Sequence, residues 1–68
     1  MERMFLMNTA TAAQKAKRHL NALGISAGIK RITEEGRGCR FAVTVSAEYL
    51  YKVSAELTVL GVPFEIAP

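Results

Sequence analysis

The two halves of this 68-residue chain repeat each other at an offset of 37 residues. Adding 37 to Ala13, Ala16, Leu20, Leu23 and Gly24 gives Leu50, Val53, Leu57, Leu60 and Gly61. The same shift carries Ile25, Ala27 and Ile29 onto Val62, Phe64 and Ile66, and Met4 and Leu6 onto Phe41 and Val43. The first set recurs at helical spacing and ends in a glycine that supplies a left-handed stop. In the second set Ile25, Ala27 and Ile29 alternate with Ser26, Gly28 and Lys30, and Phe41 and Val43 alternate with Arg40, Ala42 and Thr44, as half-buried strands do. Each half therefore reads as strand, helix, strand.

Two such units in tandem give the order βαββαβ, and right-handed crossovers turn it into a ferredoxin-like α+β sandwich. The expected sheet has four antiparallel strands in the order 4-1-3-2, with both helices on one face. Residues 1–68 allow a single domain. Half of them are hydrophobic, which suits a folded domain rather than a disordered one. A chain of this size buries only about 60% of its unfolded surface, so its core is marginal and association would help it.

Taken in order, Met4-Phe5-Leu6-Met7 reads as the first strand. Asn8-Thr9-Ala10-Thr11 offers several helix caps, and Thr11 with Gln14 fits a capping box. Ile25 to Lys30 is the expected second strand, and Thr33 to Gly38 the loop into the third, which runs through Val45. Ser46 is a candidate N-cap, with Glu48 in the first turn of the second helix. Pro63-Phe64-Glu65-Ile66 closes the sheet as an edge strand, where a missing N–H is tolerated. This alternation places Met4, Leu6, Phe41, Val43 and Val45 against the helices. It leaves Phe5, Met7, Ala42 and Thr44 on the open face, a surface for a weak homodimer or a docked partner.

The chemistry concentrates in Gly36-Arg37-Gly38-Cys39-Arg40, where a glycine-rich turn enters the third strand. Cys39 is the only cysteine, so no internal disulfide forms, and with His19 alone it builds no metal site. A thiol that accepts or passes a group must be reachable and deprotonated. Arg37 and Arg40 are candidates to favour the thiolate and hold an anionic acceptor, with Gly36 and Gly38 letting backbone N–H groups approach it. The alternative is a structural cysteine, because Cys39 alternates in step with Phe41 and free cysteines are often buried. Seven of the nine basic residues lie between Lys15 and Arg40, against a net charge of +3, and form a candidate patch for an anion, a nucleic acid or an acidic partner. Arg37-Gly38-Cys39-Arg40-Phe41 also begins like the third-strand motif of an RNA-recognition domain, but Phe5 would be its lone stacking ring. His19 has no acidic neighbour in its own helix, and Glu34-Glu35 reads as a solvated acid pair. No phosphate loop, zinc motif or nucleophile triad is present, so neither a cofactor nor a metal is expected.

Phe5-Leu6-Met7 with Asn8-Thr9, Leu23-Gly24-Ile25, and Gly38-Cys39 with Phe41-Ala42-Val43 together resemble the selenium/sulfur carrier protein-like family of small domains. The resemblance covers nearly the whole chain and implies a carrier or accessory domain rather than a complete enzyme. Cys39 would then handle sulfur or selenium, or serve thiol redox chemistry, for a donor or acceptor protein. The alternative is a non-covalent binding module that uses the open sheet face for self-association, a ligand or RNA. No apolar run is long enough to span a bilayer, and a cytoplasmic protein is the expectation.

Overall fold

A computed structural model describes residues 1–67 except positions 35 and 37. Glu35 and Arg37 therefore lie outside the described residues. The chain is α+β: strand β1 (Glu2–Met7), helix α1 (Ala10–Ala22), strands β2 (Gly28–Glu34) and β3 (Gly38–Ser46), a 3₁₀ turn (Ala47–Tyr49), helix α2 (Leu50–Leu60) and strand β4 (Glu65–Ile66). The four strands form one antiparallel sheet in the order β2-β3-β1-β4, which is the expected order read from its other edge.

Both helices end as their glycines dictate. Gly24 and Gly61 take φ of 82° and 81°. In each case the following N–H, of Ile25 or Val62, bonds back to the carbonyl of Leu20 or Leu57. The starts match expectation in part. Of the candidate caps Thr9 closes α1, its hydroxyl accepting from the Ala12 N–H at 3.1 Å, and the Thr11–Gln14 box is not the cap. Ser46 makes no side-chain cap; its hydroxyl donates to the Glu48 carboxylate, and the 3₁₀ turn leads into α2. β2 begins at Gly28 rather than Ile25 and runs on through Thr33 and Glu34, so the hairpin into β3 is tighter than the expected loop.

The core lies between the helices and one face of the sheet. Ala13, Ala16 and Leu20 of α1 and Val53 and Leu57 of α2 meet Phe5, Met7, Val43 and Val45 there. This corrects the expected faces of β1. Phe5 and Met7 are fully buried under the helices, not displayed on the open face. Phe5 pairs directly with Val43 and stacks edge-on against Phe64, with ring centroids 5.4 Å apart. Met4 and Leu6 turn outward with their cross-strand partners Thr44 and Ala42.

Four consecutive apolar residues carry no alternation, so the first strand's facing rested on the repeat alone, and the repeat slips there. Val45 precedes the first stripe residue Leu50 by five positions, whereas Met7 precedes Ala13 by six. A slip of one residue turns every side chain of a strand over. Ala42 and Thr44 do lie on the helix-free face, yet they are 0% and 8% exposed. Larger neighbours crowd them: Leu6 and Lys30 flank Ala42, and Met4 flanks Thr44. They are the floor of that face, not its contact surface.

Candidate functional site

The site is built by the β2–β3 hairpin and by where β1 stops. β3 is paired with β2 from its start, with Glu34 opposite Gly38 and Thr33 opposite Cys39. On the other side β1 reaches only as far as Met7, opposite Phe41. Cys39 therefore extends two residues past the end of β1 and, among the described residues, has a strand neighbour on one side alone. This explains why a cysteine that alternates with Phe41 and Val43 is half-buried and outside the core. On the vacant side is an open depression of about 580 Å³, bordered by Leu6, Asn8, Cys39, Arg40, Pro63 and Phe64.

Two groups from β2 reach the sulfur. The Arg31 guanidinium donates to Cys39 Sγ from Nη2 at 3.3 Å. The Thr33 hydroxyl lies 3.8 Å from it across the strand pair. Residues 31, 33 and 39 meet because positions two apart share a face and an Arg is long enough to cover the diagonal. The Arg31 hydrogen bond, then that of Thr33, lowers the thiol's pKa from its ordinary value. Partial burial opposes them, and the charge of Arg31 adds to the lowering. The arrangement is a thiol biased toward thiolate, with solvent on one side and a cation on the other.

The cation at the sulfur is thus Arg31, where Arg37 and Arg40 were expected. Arg37 is outside the described residues. Arg40, next to Cys39 in the strand, points to the opposite face, where its guanidinium meets the Glu65 carboxylate at 3.0 Å. Gly36 and Gly38 both adopt the left-handed φ that the turn needs, at 78° and 74°. A second strand that stops at Lys30 leaves Arg31 and Thr33 off the sheet; their place at the sulfur depends on β2 running on to Glu34. A second strand extended to Glu34 and paired with Gly38 puts Thr33 opposite Cys39 and Arg31 one diagonal away.

The remaining candidates separate from this site. His19 does have an acidic partner, Glu56 of the other helix, with Nε2 to Oε1 at 2.9 Å. Phe5, the ring that an RNA platform would need, is in the core, and Phe41 lies on that same helix-facing side. The central strands thus offer no aromatic side chain on the open face among the described residues. Among the described residues no three His, Cys, Asp or Glu side chains gather to hold a metal, and no helix is long and apolar enough to cross a membrane.

No protein-family model, no curated protein and no solved structure matches this chain.

Proposed function

We propose that this chain is a ferredoxin-like domain that carries a sulfane sulfur, or its selenium analogue, on Cys39 for a partner protein. The observation that carries the reading is the Arg31 guanidinium 3.3 Å from Cys39 Sγ at the solvent-facing end of the sheet. A cation held at a cysteine with open space beside it favours the nucleophilic thiolate. A single thiol without a second cysteine suits group carriage better than a disulfide cycle.

The loading step is an exchange. The Cys39 thiolate attacks the outer sulfur of a donor persulfide R–S–SH. Its electron pair forms the new S–S bond, and the old bond breaks toward the donor sulfur. The donor leaves as the thiolate R–S⁻, the hydrogen stays on the transferred sulfur, and Cys39–S–SH results. No external oxidant is consumed. Unloading is the same step run onto an acceptor thiolate. A reducing cytoplasm would keep the unloaded thiol free.

The test uses inorganic polysulfide as donor to the folded protein, read by intact mass. Addition of one sulfur, removed by a low-molecular-weight thiol and absent in Cys39→Ser, is expected. A native thiol that gains sulfur and reacts with iodoacetamide only in denaturant would overturn the carrier reading and leave a non-covalent binding module.

A further inference from the structure

The two edges of the sheet are unequal. β4 is only two residues long, but β2 presents seven residues, Gly28–Glu34, hydrogen-bonded to β3 on one side and to no strand on the other among the described residues. A long strand with a free row of N–H and C=O groups is a template for another strand. Its start is held in place, because the Asn21 amide oxygen of α1 accepts from the Ala27 N–H at 3.2 Å. The edge contains no proline, so its backbone is competent to pair along its length.

The surroundings of that edge are cationic on both faces. Above it, between α1 and β2, runs a shallow groove of about 360 Å³ lined by Gln14, Lys17, Arg18, Asn21 and Ile29. Arg31 extends the helix side of β2 beyond Ile29, toward Cys39. On the opposite face Lys30 is exposed and only loosely engaged by Glu2 at 3.8 Å, with both side chains 62% accessible. A strand laid along β2 would therefore have one set of alternate side chains beneath Lys17 and Arg18, and the other set beside Lys30.

We propose that the outer edge of β2 receives an extended, acidic segment of a partner protein as a fifth strand. A second copy of this chain fits less well, since pairing β2 with itself sets Lys30 and Arg31 near their own counterparts, and like charges across a strand pair are destabilising. A nucleic acid could use the cations but not the backbone groups, and the groove offers no ring for base stacking. The edge does not depend on the carrier chemistry of Cys39.

The experiment titrates isotope-labelled protein, at low salt, with a synthetic peptide of the strand's length that alternates Glu with Thr and Val. Slowed exchange at every second backbone amide of Gly28–Glu34 is expected, with affinity falling as salt rises. One proline at the peptide's centre, which removes a ladder hydrogen bond, should weaken binding about tenfold. The double variant Lys17→Glu/Arg18→Glu, checked for unchanged β1 and β3 shifts, should lose the Glu peptide and gain its Lys counterpart. Cys39→Ser should bind unchanged, which separates this edge from the sulfur-carrying role. Absence of binding, binding without protection at β2, concentration-dependent self-association through β2, or a tighter complex with oligouridylate would each overturn the proposal.

Discussion

His19 Nε2 and Glu56 Oε1 are 2.9 Å apart, and the two residues hold the same position in the two halves of the chain, 37 residues apart. Equivalent positions of a repeat can touch only where the axis relating the halves passes between them. The same holds in the sheet, where Phe5 and Val43 pair directly as the inward residues of equivalent strands. The internal two-fold axis therefore runs from the centre of the β1–β3 pair to the α1–α2 contact. At the helix end the symmetry is chemically broken into a donor and an acceptor, which gives two similar helices a complementary contact.

That pair is one-third exposed on each side, so its contribution is small. His19→Ala and Glu56→Gln, combined in a double-mutant cycle by urea denaturation, should show a coupling of about 0.2–1 kcal/mol that shrinks with added salt. A coupling of zero at low salt would mean that the contact does not order the helix pair.

Phe5 tests the corrected facing of β1. Phe5→Ala removes a fully buried ring stacked on Phe64 and should destabilise the fold by about 3–5 kcal/mol. For a domain of this length that approaches the whole stability, which is about 0.05–0.15 kcal/mol per residue. Leu6→Ser, on the open face, should leave a cooperative thermal transition. The reverse ranking would restore the facing drawn from the repeat.

Gly28 sits opposite Thr44, and a Cβ placed there would come within 2.9 Å of the Thr44 hydroxyl oxygen. Gly28→Ala should therefore cost about 1–3 kcal/mol through overpacking, although its φ lies outside the left-handed region that favours glycine. Thr44→Ala introduced beside it should return part of that loss. Two independent, additive effects in chemical denaturation would remove the clash as the cause.

Arg31 controls the thiol. The rate of Cys39 alkylation against pH should titrate below the usual free-thiol value, and Arg31→Gln should move the titration upward. Arg40→Gln, whose guanidinium serves Glu65 on the other face, should change it far less. The sign of the stability effect follows. A thiol whose pKa is lowered by folding contributes stability that is full above the unfolded thiol's pKa and is lost as pH falls through the folded one. Cys39→Ser should abolish that step. Equal shifts for the two arginine variants would show a general field and not a specific contact.

The sequence by itself determined the element order, the two glycine stops, the helix stripes and, through the connection rules, the sheet order. Each of these rests on information local to the chain or on handedness: Gly24 and Gly61 take a backbone conformation that other residues resist, and Leu20 and Leu57 recur at the period of a helix. It also marked Cys39 as the one thiol, at the start of the third strand. Only the tertiary structure decided which way β1 faces, because Met4 to Met7 are all apolar and any of them satisfies a core. Only the cross-strand register brought Arg31 and Thr33 to the sulfur and sent Arg40 away, since neighbours in a strand diverge while residues eight apart in a hairpin converge. The exposure of Cys39 was decided by a length, that of β1, which ends opposite Phe41 and leaves the next inward position of β3 uncovered.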